Sequence, residues 1–340
     1  MSNLAKTLFN DQVRSVQTLC LNPCLDIAVS APDLVIGDLN LYESLTAQPG
    51  GKGLNVAAHL SKQGINSSTF LAMPETSRGF SNAFADARFG ACEYRVPGKL
   101  RINIKVNVRQ EDGNMVMTEI NGTGDRIDSD TAAGLVDMLI HSAKISNVLV
   151  LSGSLLPGIP ADIYSRLSKS SHEANGITVL DASRAAMKMA INAGVDAFKP
   201  NLDEFRQLTG LPCDTIEQVA RTSELYCRSK ACDLILCSLG NRGAVITDGE
   251  RTYFSPVPDP DATIVNLTGA GDAMTAVLAA FASTTPLNQR FGEYVENCEI
   301  AELLKIAMAN AQATVRLPSN EVPSQDQVLS WLPQVAVRPI

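Results

Sequence analysis

The sequence predicts an α/β fold, in which a doubly wound, mostly parallel sheet carries helices on both faces. Four short apolar runs have the length and the bounding residues of buried strands. They cover residues 16–21, 148–151, 177–180 and 234–237. Polar or alanine-rich helical stretches lie between them, and they include residues 55–63, 161–174 and 217–229. This alternation favours parallel strands, and ligands bind beyond the carboxyl ends of such strands.

Two stretches, residues 33–48 and 93–119, break the alternation and predict a small separate sheet. Residues 101–109 alternate polar and apolar side chains, as a half-exposed strand does. Residues 111–114 (Glu-Asp-Gly-Asn) have the composition of a turn. The two stretches are therefore expected to form an appendage on the larger sheet.

The domain organisation follows from these patterns. We expect one large α/β domain over residues 16–318, with the appendage formed by about 33–48 and 93–119. Residues 1–15 would be an N-terminal extension. Residues 319–340 contain three prolines and are expected to form a loosely packed C-terminal tail.

Composition narrows the possible functions. The net charge of −8 argues against broad binding to nucleic acid or to an anionic membrane, although a local basic pocket remains compatible with it. The eight cysteines form no CxxC pair and no zinc-binding spacing, so buried thiols in a reducing cytoplasm are expected. No run of about 18 apolar residues predicts a transmembrane helix.

The strongest local signal is Gly269-Ala270-Gly271-Asp272, which precedes a helical run of small and apolar residues. Backbone N–H groups and the helix dipole at such a position favour an anion, for example a transferring phosphoryl group. Asp272 is well placed to take a proton from an attacking hydroxyl. Taken alone, an ordinary turn that starts a helix explains the tetrapeptide equally well.

A second signal is the glycine-rich loop that ends in Gly51, Lys52, Gly53, Leu54 and Asn55. Its glycines allow a substrate to approach the backbone, Lys52 adds a positive charge, and Asn55 can donate and accept hydrogen bonds. The loop lacks the spacing of a Walker A motif. As a bare glycine-rich turn it is only moderately specific.

A third signal is Lys199-Pro200-Asn201-Leu202-Asp203-Glu204. Asn201 and Glu204 are three residues apart and share a face at a helix start, where their oxygens would suit hydrated Mg²⁺. Taken alone, the hexapeptide is better explained by a helix cap with Glu in the first turn. Two further loops after predicted strands, SGSLLPG from Ser152 and SLGNRG from Ser238, are ordinary connections when each is considered alone.

The order of these motifs is more specific than any one of them. Asn22-Pro23-x-x-Asp26, GGKGLN, SGSLLPG, KPNLDE, SLGNRG and GAGD follow one another in a sequence that resembles the PfkB carbohydrate kinase family from about residue 16 to about residue 316. The resemblance implies a ribokinase-like fold, in which the small β-sheet is a lid. It also implies ATP and Mg²⁺ as cofactors and phosphoryl transfer to a sugar hydroxyl.

The resemblance further implies roles for individual residues. Asp272 would be the catalytic base, and Gly269, Ala270 and Gly271 would form the anion hole. The implied sugar-binding residues are Asp26, Gly51 and Asn55. On the nucleotide side, Asn201 and Glu204 would hold Mg²⁺ through water and Lys199 would lie near the phosphates. Ser238, Gly240, Gly243 and Asn310 would complete the ATP site.

The segments LNPCLD, GGKGLNVA, RINIKV and DASR most resemble the branch that phosphorylates fructose 1-phosphate at its 6-hydroxyl. The substrate's own phosphate then needs cations far from GAGD, and Lys52 and Arg101, with Ser154 as a hydroxyl donor, are the candidates. Tagatose-6-phosphate kinase or another sugar kinase of the family is the alternative, and a non-catalytic sugar-phosphate-binding regulator is the alternative of another class. The apolar face of residues 101–109 predicts a homodimer joined through the lids.

Overall fold

The computed structural model describes residues 3–77, 90–109, 115–259, 264–265, 268–318 and 321–340. Within them, the strands are β1 Val16–Cys20, β2 Cys24–Ala31, β3 Ser44–Gly50, β4 Ser67–Pro74, β5 Gly90–Val96, β6 Arg101–Arg109, β7 Met115–Asn121, β8 Val148–Ser152, β9 Ile177–Asp181, β10 Ala197–Phe198, β11 Leu234–Ser238, β12 Ala244–Thr247, β13 Thr252–Ser255 and β14 Arg338–Pro339.

The α-helices of the described residues are α1 Asn3–Asn10, α2 Lys52–Lys62, α3 Ser129–Ile145, α4 Ile163–Glu173, α5 Arg184–Ala193, α6 Leu202–Thr209, α7 Ile216–Arg228, α8 Ala270–Ser283, α9 Phe291–Glu296, α10 Ile300–Thr314 and α11 Gln325–Trp331. The four predicted strands and the three predicted helices are confirmed, with ends that differ by no more than three residues. In the part of the chain that the structure describes, every helix is too short or too polar to cross a membrane.

The large sheet has ten strands in the order β14-β13-β12-β11-β10-β9-β8-β1-β4-β5. The strands from β11 to β5 are parallel, and β12, β13 and β14 add an antiparallel edge. The doubly wound, mostly parallel α/β architecture is confirmed. Because the strands are parallel, the loops after β1, β8, β9, β10 and β11 all open at one edge of the sheet.

The sheet is buried on both faces because its central strands carry apolar side chains in both directions. Val148 and Val150 of β8 belong to one core, and Leu149 and Leu151 belong to the other. The first core packs under α1, α2, α8, α9, α10 and α11, and the second packs under α3 to α7. Continuous apolar strands are typical of a parallel sheet covered on both sides.

A separate four-stranded sheet, in the order β3-β2-β6-β7, forms the lid. The predicted strand over residues 101–109 is confirmed as β6. Two details of the prediction are wrong. Residues 93–96 continue β5 in the large sheet, and β2, which was not assigned to the lid, is one of its two central strands. The chain enters the lid only three residues after β1, and no long connection marks this change of sheet. The predicted turn at 111–114 lies outside the described residues.

The two segments outside the predicted domain pack onto it. In α1, Ala5, Leu8 and Phe9 are buried in the first core. The prediction of a loosely packed tail is wrong for residues 321–340, because α11 buries Val328 against α10 and β14 pairs with β13. Prolines disfavour helix interiors, yet here they lie outside α11 and leave it free to form.

Candidate active site

The candidate active site lies at the carboxyl edge of the large sheet, beneath the lid. A cavity of about 230 Å³ opens there between the strand ends, the start of α2 and lid strand β6. Its lining includes Lys52, Arg101, Asn103, Ser154 and Glu204. Parallel sheets place ligand sites at this edge, so the position agrees with the prediction from the strand pattern.

Asp272 lies in the first turn of α8, behind a cap that requires glycine. Gly269 has a φ of 89°, in the left-handed region that L side chains rarely adopt. The Asp272 side chain is buried, and its Oδ2 accepts a hydrogen bond of 2.7 Å from Asn55 Nδ2. Burial raises the pKa of Asp272 to about 6, and the nearby charge of Lys52 opposes this shift. A carboxyl group with such a pKa can accept a proton near neutral pH.

The glycine-rich loop places Lys52 opposite two carboxylates. Gly51 caps α2 with a φ of 129°, and a Cβ there would lie 2.5 Å from Cys20 Sγ, so a larger residue would not fit. Lys52 Nζ donates to Asp181 Oδ1 at 2.6 Å and lies 3.9 Å from Glu204 Oε1. Burial alone would lower the pKa of Lys52, but these carboxylates outweigh it and raise the pKa above its usual value.

Asp181, at the end of β9, connects three elements of the site. Its Oδ2 accepts a hydrogen bond of 2.7 Å from Thr275 of α8 and lies 3.6 Å from Lys199 Nζ. Burial alone would raise the pKa of Asp181, but Lys199 and Lys52 outweigh it and lower the pKa. Lys199 Nζ also lies 3.4 Å from the point where a Cβ on Gly271 would be. The buried Lys199 therefore reaches the start of α8.

Asn201 and Glu204 form a capping box at the start of α6. Glu204 N donates to Asn201 Oδ1 at 2.8 Å, and Asn201 N donates to Glu204 Oε2 at 2.9 Å. The pair therefore does form the helix cap. The cap leaves Glu204 Oε1 directed toward Lys52 and the cavity. Among the described residues, no three His, Cys, Asp or Glu side chains form a cluster that could hold a metal ion.

The lid contributes the other end of the cavity. Arg101 donates from Nε to Asn22 O at 2.9 Å and from Nη1 to Asn103 Oδ1 and Gly122 O, each at 3.2 Å. Asn103 in turn donates to Asp26 Oδ1 at 2.9 Å. Nη2 of Arg101 makes no hydrogen bond with the described residues, so it remains available to a ligand in the cavity.

A hydroxyl group faces this cavity from the loop after β8. Ser154 lines the cavity, and its Oγ accepts a hydrogen bond of 3.3 Å from Asn22 Nδ2. Asn22 also donates to Thr123 O at 3.0 Å, which ties the exit from β1 to the loop after β7. Ser154 and Arg101 therefore border the same space from the core and from the lid.

A second cavity, of about 550 Å³, lies on the other side of the α8 start. Ser238, Gly240 and Gly243 line it together with Ala270 and Gly271, as the sequence predicts for the nucleotide side. Apolar side chains from α8, from α10 and from the residue after it form part of its wall: Met274, Met308, Ala311 and Val315. An apolar slot beside glycine backbone suits a planar base joined to phosphates.

Asn310 does not reach this second cavity, contrary to the expectation from the sequence. Its Nδ2 donates to Ala273 O at 3.0 Å and its Oδ1 accepts from Gln63 at 3.0 Å, deep between helices. Helical geometry explains the difference, because Met308 and Ala311 are three residues apart and share a face that Asn310 does not share. Gln312, from the same face, lines the cavity.

Two residues that sequence reasoning did not place in the site belong to it. Asp181 directly follows a buried strand at the carboxyl edge, and this position was the signal that could have identified it. Asn103 lies two residues from Arg101, so the alternation of β6 puts both on the face directed to the cavity. The structure thus supplies a buried acid, its neighbouring lysines and a polar lid face.

Comparisons with known proteins agree on one family. Residues 21–326 match the pfkB family of carbohydrate kinases. The 1-phosphofructokinase of Bacillus subtilis strain 168 is 26% identical over 324 residues, which is 95% of this chain and 99% of that protein. The 1-phosphofructokinase of Rhodobacter capsulatus is 31% identical over 277 residues, 77% of this chain and 82% of that protein.

A solved structure shows the same fold. The phosphofructokinase-2 of Escherichia coli in complex with substrates and products superimposes with a TM-score of 0.80. The match covers 94% of this chain and 98% of that chain, at 22% sequence identity. At this identity the likeness concerns the arrangement of the two sheets and their helices.

Proposed function

Because this chain belongs to the pfkB family of carbohydrate kinases, we propose that it phosphorylates fructose 1-phosphate at the 6-hydroxyl. Membership makes the chain a phosphotransferase with a hydroxyl acceptor and implies ATP as the donor. The products would be fructose 1,6-bisphosphate and ADP. The observation that carries the proposal is a cavity that Lys52 and the lid arginine Arg101 line together, with the buried carboxylate of Asp272 close to Lys52. This arrangement offers a base near one end and a cation with an unused N–H group at the other.

In the proposed mechanism, Asp272 accepts the proton of the 6-hydroxyl as that oxygen attacks the terminal phosphorus of ATP. The bond from phosphorus to the bridging oxygen breaks, and this oxygen leaves with ADP. Backbone N–H groups of Gly269, Ala270 and Gly271 at the start of α8 stabilise the transferred group. Lys199 lies beside Gly271 and adds positive charge on the nucleotide side.

The substrate's own phosphate would bind at the lid end of the cavity. Arg101 Nη2 and the Ser154 hydroxyl border this end, and both can donate to phosphate oxygens. Asp26 and Asn55, with the backbone of Gly51, would hold the sugar hydroxyls between the two ends. Lys52 is held by Asp181 at 2.6 Å, so we place it with the phosphoryl-transfer groups rather than with the substrate's phosphate.

Glu204 and Asn201 fit a hydrated Mg²⁺. Glu204 Oε1 takes no part in the helix cap and lines the cavity, so it can accept a hydrogen bond from metal-bound water. The metal would shield the negative charge of the ATP phosphates when bound. Its remaining ligands would be water and phosphate oxygens. Titration calorimetry of Mg²⁺ with the ADP-bound protein should show weaker metal binding for Glu204→Gln than for Asp203→Asn, an exposed neighbour.

The lid supports a homodimer. Leu45, Ile102, Val116 and Ile120 lie on the face of the lid sheet that points away from the cavity, and each is between 46% and 60% exposed. A small sheet with an uncovered apolar face is marginally stable, and a second lid would cover it. Light scattering should give the mass of a dimer, whereas a monomer at micromolar concentration would contradict this arrangement.

The cytoplasm is the proposed location. All eight cysteines are free, and free thiols persist in a reducing compartment. Sugar phosphates, as charged metabolites, are also expected there.

The substrate is tested by kcat/KM for fructose 1-phosphate, fructose 6-phosphate and tagatose 6-phosphate under one set of conditions. We expect fructose 1-phosphate to give the highest value. A higher value for either 6-phosphate would show that the substrate assignment is wrong, while the assignment as a sugar-phosphate kinase would stand. Binding of sugar phosphate without ADP release would instead favour a non-catalytic regulator.

A further inference from the structure

Strand β6 carries only polar side chains on the face that points to the active site, and the first three are Arg101, Asn103 and Lys105. Arg101, Asn103 and Lys105 follow one another at intervals of two residues, so the alternation of a strand places them on one face. Arg101 and Asn103 line the substrate cavity. Lys105 Nζ donates to Thr268 Oγ1 at 2.9 Å, across 163 residues of chain. Thr268 directly precedes Gly269, the cap of α8.

Lys105 differs from the two core lysines in what it contacts. Lys52 and Lys199 both pair with Asp181, at 2.6 Å and 3.6 Å. Lys105 is bonded to a neutral hydroxyl, and no carboxylate of the described residues forms an ion pair with it. Glu119 is its direct partner across β7, but the Glu119 carboxylate accepts from Asn121 at 3.3 Å.

The fixed charges of the protein around the phosphoryl-transfer end favour a further cation beside the Mg²⁺ proposed above. Lys52 and Lys199 are two positive charges, whereas Asp181, Glu204 and ionised Asp272 are three negative ones. The transferred group brings additional negative charge, and fixed positive charge is what stabilises it. The paired core lysines are largely neutralised before the nucleotide binds.

We propose that Lys105 is a further catalytic residue, whose ammonium group contacts the transferred phosphoryl group beside the GAGD turn. This inference rests on the proposed kinase function and extends it. Lys105 exchanges no proton. As the new bond to the sugar oxygen forms and the bond to the ADP oxygen breaks, its charge stabilises the phosphoryl oxygens, while the hydroxyl proton goes to Asp272.

The strand also sets the distance between the two ends of the substrate. Arg101 and Lys105 are four residues apart on β6, or about 13 Å along an extended strand. Arg101 would bind the phosphate that the substrate already carries, and Lys105 would act at the hydroxyl that receives the new one. The hydrogen bond from Lys105 to Thr268 also connects the lid to the start of α8, so the position of the lid and that of the anion hole depend on each other.

The test replaces Lys105 with Met, which keeps the length of the side chain and removes its charge. We expect Lys105→Met to lower kcat about 10²-fold, as loss of one transition-state donor does elsewhere. KM for fructose 1-phosphate should change by less than about threefold, because ground-state binding is untouched. In titration calorimetry, ADP·Mg²⁺ should bind as to the wild type. The complex of ADP·Mg²⁺ with tetrafluoroaluminate, which stands in for the transferred group, should weaken about 10-fold or more.

Three further variants control this experiment. Lys105→Arg keeps a cation and should recover part of kcat. Arg109→Met removes a charge from the same face of the same strand, about 13 Å away, and should leave kcat unchanged. Thr268→Val removes the bond to the lid and keeps the ammonium group, so it should cost less than Lys105→Met. Thermal melting of each variant shows that it is folded.

Several results would overturn the proposal. One is a kcat for Lys105→Met close to that of an active wild type. Another is a large rise in KM for the sugar phosphate with kcat intact, which would assign Lys105 to the substrate's own phosphate. An equal loss of kcat in Thr268→Val and Lys105→Met would show that the hydrogen bond between Lys105 and Thr268, and not the charge of Lys105, accounts for the effect. If the wild type phosphorylates no sugar, the proposed function fails, but the tetrafluoroaluminate measurement still tests Lys105.

Discussion

The two edges of the large sheet both hold charged clusters beside a cavity, and they differ in what their charges contact. At the carboxyl edge, Lys52 lines a cavity of about 230 Å³ and pairs with Asp181, and Asp272 lies close to Lys52 at the start of α8. At the amino edge, Arg14, His172 and Asp196 border a cavity of about 890 Å³. The larger cavity is therefore at the edge without the family motifs.

At the amino edge, the charged groups bind strand and loop backbone. Asp196 accepts from Thr178 N at 2.7 Å and from Thr178 Oγ1 at 2.8 Å, and it pairs with His172 at 2.7 Å. The guanidinium of Arg14 donates to three backbone carbonyls, those of Thr285, Asn175 and Pro286. Such contacts join the starts of strands to neighbouring loops, which is a structural role.

The comparison shows that neither volume nor a shifted pKa identifies the active site. Burial raises the pKa of Asp233 at the amino edge to about 6, with Asp196 as a further cause, and Asp272 at the carboxyl edge reaches about the same value. What distinguishes Asp272 is its setting: a helix start, an amide donor and lysines that face the same space. If function is confined to that edge, substitutions at the carboxyl edge should change kcat and substitutions at the amino edge should not.

The largest effect is expected for Asp272→Asn. The amide is nearly the same size but cannot accept the proton, so kcat should fall about 10²- to 10⁴-fold. Nucleotide affinity, measured by titration calorimetry, should stay close to that of the wild type. At the other edge, Asp233→Asn should leave kcat unchanged. A kcat for Asp272→Asn above about a tenth of the wild-type value would remove Asp272 from the role of base.

A smaller effect is expected for Arg101→Ala. A charge-assisted hydrogen bond contributes about 1.5–3 kcal/mol, so KM for the sugar phosphate should rise roughly 10- to 150-fold. KM for ATP should change little, because Arg101 does not line the cavity of about 550 Å³ that we propose for the nucleotide. Steady-state kinetics with each substrate varied in turn would measure both constants. Equal rises in the two constants would show a general disturbance of the lid instead.

The pH dependence of kcat/KM should follow the ionisation of Asp272. The base must be ionised, so the rate should fall as the pH drops below about 6, by about tenfold per unit. A sugar phosphate also titrates near pH 6. Asn55→Ala distinguishes the ionisation of Asp272 from that of the substrate's phosphate. Loss of the hydrogen bond from Asn55 should raise the pKa of Asp272, so the acidic limb of the pH profile should move to higher pH. A limb that does not move would belong to the substrate.

The smallest effect is expected at the amino edge, for His172→Gln. The hydrogen bond to Asp196 raises the pKa of His172, so its contribution to stability is present at low pH and is lost as the pH rises through the folded-state pKa. The side chain is 37% exposed, which limits the effect to about 1 kcal/mol or less. The melting temperature should fall slightly at pH 5.5 and less at pH 8.5, with kcat unchanged. The exposed His141→Gln is the control, and a loss of kcat in His172→Gln would break the comparison of the edges.

Local patterns in the sequence were sufficient for much of the fold. Apolar runs of four to six residues identified β1, β8, β9 and β11, because a strand covered on both faces has no polar side to interrupt it. The alternation in residues 101–109 identified β6, because a strand with one polar face repeats every two residues. Gly51 and Gly269 marked two helix starts in the sequence, and both have the positive φ that glycine adopts readily.

The tertiary structure decided which charges meet. No spacing rule connects Lys52 to Asp181, Asn55 to Asp272 or Lys105 to Thr268, because each pair joins elements more than 120 residues apart in sequence. The resemblance placed Asn310 at the ATP site, whereas the packing of α10 against α8 turns its side chain into the core. The secondary structure follows from the spacing of apolar residues along the chain, whereas the electrostatics of the site depend on how the strands, the helices and the lid pack together.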